Sequence, residues 1–167
     1  IVLETMTDLY EVKAAVLAAK ENTRLPVFVT MTFEDTGRTF TGCSVEAMAT
    51  TLNGLGVDAM GVNCSLGPKE LMPIVARLCK ATERPIIVKA NAGLPDPETG
   101  AYNISAQEFA AYMGEYVEMG VSILGGCCGT TPDYIREIRR VTAGKTPAVH
   151  TVEKVARVCS ATCMVQV

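Results

Sequence analysis

DAMGVNCSLGPKELMPIVARLCKATERPIIVKA (58–90) is the stretch on which the fold turns. Two short apolar runs, DAMGVNC (58–64) and PIIVKA (85–90), enclose an amphipathic segment. Ser65-Leu66-Gly67-Pro68 opens that segment, and Pro68 suits the first turn of a helix, where a missing N–H is harmless. The runs are nearly continuous in apolar residues, as strands are when both sheet faces are covered. Strand, helix, strand is the repeating unit of a parallel sheet.

The same alternation continues in both directions. Toward the N-terminus, the apolar run Ile1–Leu3 ends in Glu4-Thr5-Met6. TDLYEVKAAVLAAKEN then reads as a helix, with Thr7 or Asp8 as its N-cap and Leu9, Val12, Val16 and Leu17 on one stripe. PVFVTMTF (26–33) is strand-like and is followed by the turn-rich EDTGRTFTG. Ser44 can cap a helix running to Leu55. Toward the C-terminus, a loop with Asn91, Gly93 and Pro95 leads to Ser105, which caps a helix to about Met119. VSILGG (121–126) is the last clear strand, and Thr130 or Thr131 with Pro132 starts a helix through Val141. This makes five βα units at a spacing of roughly 30 residues. The tail 144–167 breaks the pattern, with Pro147, two cysteines and two short apolar runs, and reads as a linker or an edge element.

Two α/β architectures accommodate five such units. A doubly wound five-stranded sheet is complete at this length. A (β/α)₈ barrel takes about 250 residues, so five units are a part of one. The opening IVLETMTDLY lacks an initial Met and enters an apolar run at once, which favours the partial barrel and a longer parent chain. Both architectures put their sites at the C-terminal ends of the strands.

Composition narrows the classes. The 167 residues are 49% hydrophobic and 20% charged, which excludes a disordered or fibrous chain. The net charge is −3 and the basic residues are scattered, against a nucleic-acid binder. No apolar run approaches the ~18 residues of a membrane span, and the start has no signal-peptide shape. The seven cysteines are odd in number and include the neighbours Cys127 and Cys128, which are poor partners for each other. Reduced thiols in a cytoplasmic protein are the expectation.

Reading only the strand ends yields Glu4, Thr30 to Thr32, Asn63-Cys64, Asn91 and Cys127-Cys128. Cys64 in GVNCSLGP and Cys127-Cys128 in GGCCGTTP bring three thiols from two loops. Three thiolates with an open fourth position make a catalytic type of zinc site. Gly125, Gly126 and Gly129 give the turn the freedom to aim two adjacent sulfurs at one ion. The bland readings stand beside it: buried cysteine as filler, or a redox-active Cys-Cys pair. Cys43, Cys79, Cys159 and Cys163 lack this context, and Cys79 reads as helix packing. His150 lies in the tail, against a His-based triad. The glycines match neither a dinucleotide fingerprint nor a Walker motif. Glu4 can bind an amine or be a solvated acid. Asn91 can bind a carboxylate or organise its loop, and Lys89 can anchor an anion or be an interior charge with a partner.

ETMTDLYEVKAAVLAAKE, PVFVTMTFEDTGRTFTG, GVNCSLGPKEL, PIIVKANAGLP and GGCCGTTPDYIREI, in this order, resemble the homocysteine S-methyltransferase family. The resemblance covers about residues 1–142 and is greatest to the homocysteine-binding modules of the cobalamin-dependent methionine synthases. It implies a (β/α)₈ barrel, of which residues 1–143 are the five C-terminal units and 144–167 a tail toward a further module. It implies zinc on Cys64, Cys127 and Cys128, and Glu4 and Asn91 on the amino-acid end of homocysteine. Asn63 is added as a substrate neighbour from its position alone. The implied reaction is zinc-dependent methylation of the homocysteine thiol to methionine. Methylcobalamin and methyltetrahydrofolate would be bound by other modules of the same protein. Betaine or S-methylmethionine as donor, and a non-catalytic zinc-binding α/β domain, are the alternatives. Five strands of a barrel also leave two open edges, so self-association is expected, and the five-unit chain alone is expected to be inactive.

Overall fold

The computed structural model describes residues 1–167. Five strands alternate with five helices: β1 (Val2–Met6), α1 (Leu9–Asn22), β2 (Phe28–Met31), α2 (Val45–Leu55), β3 (Ala59–Asn63), α3 (Pro68–Cys79), β4 (Ile86–Ala90), α4 (Ala106–Met119), β5 (Ile123–Gly126) and α5 (Pro132–Thr142). Local chemistry sets the helix starts. Asp8, not Thr7, caps α1 by accepting from the Tyr10 and Glu11 N–H groups. Ser44 and Ser105 cap α2 and α4 through the N–H groups of Ala47 and Glu108. Pro68 and Pro132 open α3 and α5, which have no side-chain cap.

All five strands are parallel and lie in the order β1-β2-β3-β4-β5. A doubly wound sheet reverses its order at a switch point. This sheet never reverses: each crossover steps to the next strand in the same direction, as in a (β/α)₈ barrel. The doubly wound alternative is thereby excluded.

The register sorts the side chains. Met31, Val62, Val88 and Leu124 align across β2–β5. The first three belong to the buried core under the helices, and Leu124 packs against it. Alternation along each strand therefore sends the intervening residues to the concave side. Thr30, Gly61, Ile87 and Ile123 form one layer there, and Asn63, Lys89 and Gly125 the next, nearer the strand ends. Gly61 is required by close approach, since a Cβ would stand 1.9 Å from the Ile87 carbonyl oxygen.

The helix side carries the packing. Leu71, Val75 and Leu78 of α3 and Phe109, Met113 and Tyr116 of α4 are fully buried, each such side chain worth about 1.5–3 kcal/mol. Tyr116 satisfies its hydroxyl by donating to the Pro68 carbonyl. Cys43 is part of this core, and burial pushes its thiol up to about 11. Cys79 packs beneath the end of α4, with Sγ 3.4 Å from the Met119 carbonyl oxygen.

The tail contains β6 (Arg157–Cys159) and β7 (Met164–Gln166), an antiparallel pair separate from the main sheet. It is not an extra edge strand. The segment before it passes the end of α4, where the Ala148 N–H donates to the Val117 carbonyl. The hairpin then rests on α2: Cys159 Sγ lies 3.1 Å from Thr51 Oγ1, and the Thr162 carbonyl accepts from the Ser44 N–H. No helix is long and apolar enough to cross a membrane.

Candidate metal centre

The end of β3 turns abruptly. Cys64 and Ser65 both have φ of +63°, a left-handed region that side chains avoid. The Leu66 N–H donates to the Cys64 carbonyl at 2.8 Å, closing a three-residue turn about Ser65. The third non-glycine residue with positive φ is Thr5, at 59°, beside the same site. Strain of about 1–2 kcal/mol per residue is thus concentrated at one end of the sheet. It aims the Cys64 sulfur inward, toward the loop after β5.

Backbone hydrogen bonds lock that second loop to the first. The Cys127 N–H donates to the Ala90 carbonyl, and the Cys128 carbonyl accepts from the Ala92 N–H. Cys128 N–H donates to Asn91 Oδ1 at 3.0 Å. Asn91 N–H donates to the Leu66 carbonyl in the Cys64 loop. Asn91 is almost wholly buried and so ties the two cysteine loops together. Asn63 does the same from β3. Its Nδ2 donates to Thr5 Oγ1 and approaches Cys127 Sγ at 3.9 Å, while its Oδ1 accepts from the Thr5 N–H.

The Sγ atoms of Cys64, Cys127 and Cys128 lie within 4.8 Å of one another, and Cys64 and Cys128 are 3.6 Å apart. A tetrahedral ion with sulfurs at about 2.3 Å spaces them about 3.8 Å apart. The three donors therefore fit one soft ion, with a fourth position left for another ligand. Burial works against the Cys64 thiolate. The Ser65 N–H, the other two thiols and Asn91 outweigh it and hold this pKa below the ordinary value. At Cys127 burial and the adjacent Cys64 act together and push the thiol up to about 11. The other four cysteines stand apart from the cluster: Cys43 and Cys79 are packed in the fold, and Cys159 and Cys163 lie in the exposed hairpin.

Of the substrate candidates, Asn91 spends its side-chain oxygen on the Cys128 loop, and Asn63 spends its polar atoms on Thr5 with a longer contact to Cys127 Sγ. Glu4 reaches across the concave face to form an ion pair with Lys89. Sequence reading missed Thr5 and Tyr102. The Tyr102 ring lies against Gly129, whose φ is +78° and whose Cβ would stand 2.4 Å from the ring. The Cys128 thiol faces the Tyr102 hydroxyl, and partial burial with that neighbour raises the phenol's pKa. No local motif marks Tyr102, because its approach depends on how the loop after β4 folds back.

The family model described as homocysteine S-methyltransferase matches residues 1–142. The chain belongs to that family. All three clustered cysteines fall within the matched region. Methionine synthase of Mycobacterium leprae is 39% identical over 151 residues, which cover 86% of this chain and 12% of that protein. Methionine synthase of Mycobacterium tuberculosis is 38% identical over the same length, 86% of this chain and 13% of that protein. The chain thus spans about an eighth of these relatives. Among solved structures, the homocysteine methyltransferase MmuM from Escherichia coli in its apo form superposes with a TM-score of 0.70 at 23% identity. The match covers 84% of this chain and 48% of that one. Its metallated form gives 0.68 at 24%. At that identity the likeness speaks for the fold, which is a part of the methyltransferase barrel.

Proposed function

We propose that this chain carries the homocysteine-activating part of a methionine synthase, binding zinc through Cys64, Cys127 and Cys128. The observation that supports this most directly is the convergence of three sulfurs from two strand ends, within 4.8 Å of one another, in a chain of this family. Zinc held there supplies Lewis acidity, which lets the homocysteine thiol, ordinarily near ~8.5, lose its proton at neutral pH. The chain's own residues do the rest. Asn91 and the Ser65 turn fix the sulfurs before the substrate arrives, so that little reorganisation is left for binding. Glu4 accepts the substrate's α-ammonium. The substrate sulfur, its lone pair facing the open mouth of the sheet, takes the methyl group, and the bond to the donor breaks with its electron pair left on the donor. Methylcobalamin is the donor in this reading, as the sequence resemblance implies, and the likeness to methionine synthases supports it. Cobalamin and folate would be bound by other modules of the protein.

The test is zinc stoichiometry and calorimetry on the full-length protein. Replacing any one of Cys64, Cys127 and Cys128 by Ala is expected to lower zinc affinity strongly, whereas Cys43→Ala and Cys79→Ala leave one zinc bound. Homocysteine binding to the zinc-loaded protein should release a proton, seen as a dependence of heat on buffer ionisation enthalpy. Full zinc affinity in Cys64→Ala would remove the three-cysteine site. Absence of any buffer dependence would remove the thiolate step.

A further inference from the structure

The concave face holds one charge pair in which the homocysteine reading uses Glu4 and leaves Lys89 without a role. Lys89 of β4 and Glu4 of β1 reach toward each other over β2 and β3 and form an ion pair. Lys89 is the inward residue of its layer, flanked in register by Asn63 and Gly125. Its stem lies against the bare Gly125, 3.1 Å from where a Cβ would be, so the side chain has room along the wall. Its side chain is 20% exposed and that of Glu4 48% exposed, so both remain open to a ligand at the mouth. Lys89 also adjoins the cysteines directly: its carbonyl accepts from the Cys64 N–H at 3.0 Å, and Cys127 lies two residues beyond its partner Gly125.

We infer that Lys89 is the carboxylate-reading residue of the amino-acid subsite and, in the free protein, keeps the ammonium position beside Glu4 filled. The inference rests on the homocysteine reading above and deepens it. Two residues along a strand span about 6.6 Å. Cys127 stands one such step beyond the Lys89 layer, about the distance from the thiol of a four-carbon amino acid to its charged end, and Cys64 directly follows Asn63 of that layer. A zwitterion offers both charges that the pair requires. Its ammonium replaces Lys89 on Glu4, and its carboxylate receives the released Lys89 ammonium. Neither Glu4 nor Lys89 is then left without a partner in a half-buried position, which would be costly. A thiol with only one of the two charges breaks the ion pair and restores one half of it. The pair therefore selects for an amino acid over a simple thiol.

The test compares three thiols on the zinc-loaded full-length protein by calorimetry. They are homocysteine, 4-sulfanylbutanoate (no amine) and 3-amino-1-propanethiol (no carboxylate). Lys89→Met is expected to weaken homocysteine and 4-sulfanylbutanoate by about tenfold or more, the loss of a hydrogen bond to a charged group. Binding of 3-amino-1-propanethiol should hold or tighten, since Glu4 is freed. Lys89→Arg keeps the charge and should retain both carboxylate-bearing thiols. Glu4→Gln should invert the pattern. Equal losses for all three thiols in Lys89→Met, or no loss for any, would overturn the carboxylate role while leaving the zinc reading intact. If none of the thiols binds the unaltered protein, the homocysteine reading fails and this inference with it.

Discussion

Asn91 links more of the site than any cysteine does. Its Oδ1 holds the Cys128 N–H, its own N–H reaches the Leu66 carbonyl, and its side chain supports the Cys64 thiolate. Residues that orient metal ligands typically contribute 10–100-fold to affinity. Asn91→Ala leaves all three sulfurs in place but frees the Cys128 loop. Zinc affinity, measured by competition with a chromophoric chelator, is expected to fall by about 10–100-fold without loss of the one-to-one stoichiometry. Unchanged affinity would mean that the backbone bonds alone set the cysteine loops. The cysteines themselves were legible in the sequence, because strand ends and flanking glycines are local features. Asn91 was legible as a position but not as a brace between loops. Thr5 and Tyr102 were not legible at all. Their importance comes from a strained φ and from a loop closing over Gly129, and neither leaves a pattern in neighbouring residues.

Between elements, the α2–α3 contact carries a bidentate ion pair. Arg77 Nε and Nη2 donate to Glu46 Oε1 and Oε2 at 2.8 and 2.7 Å. The guanidinium lowers the Glu46 pKa, in the first turn of α2 where the helix dipole also favours negative charge. Both side chains are about a third exposed, so solvent reduces the gain to about 1 kcal/mol or less. The folded pKa lies below the unfolded one. The pair's contribution is therefore full above the unfolded carboxylate pKa and is lost as pH falls through the folded value. Glu46→Gln should accordingly lower the urea midpoint at neutral pH, and the gap from the unaltered protein should close in acid. A gap that persists in acid would assign the loss to packing instead. At this scale the sequence was informative about helices, because caps and Pro68 or Pro132 are local signals. The βα alternation by itself does not separate a doubly wound sheet from a barrel; the opening of the chain and the family resemblance pointed to the partial barrel, and the strand order bears that out. Strand order depends on which side each crossover takes, and both architectures share the same βα alternation. Nor did the sequence reveal the β6–β7 hairpin, whose three-residue strands are too short for a periodic signal.

At the scale of the whole molecule the sheet is sequentially ordered and open at both edges. β1 pairs only with β2, and β5 only with β4. Their outer N–H and C=O groups therefore have no strand to meet, and a barrel satisfies such groups by joining its first and last edges. Both edges are open to a neighbour. Val2 of β1 and Ile1 just before it are exposed. Beside β5, an open cavity of about 620 Å³ is lined by Gly126, Pro132, Ile135 and the arginines Arg136 and Arg139. Exposed parallel edges of this kind recruit other chains. The 167-residue chain studied by itself is expected to associate as its concentration rises, with sedimentation velocity showing species larger than the monomer. Amide exchange should slow on the outer edges of β1 and β5 in the associated form and leave β3, already paired on both sides, unchanged. A monomer at every concentration, with fast exchange on both edges, would show that the charges of Arg136 and Arg139 suffice to keep the edges apart.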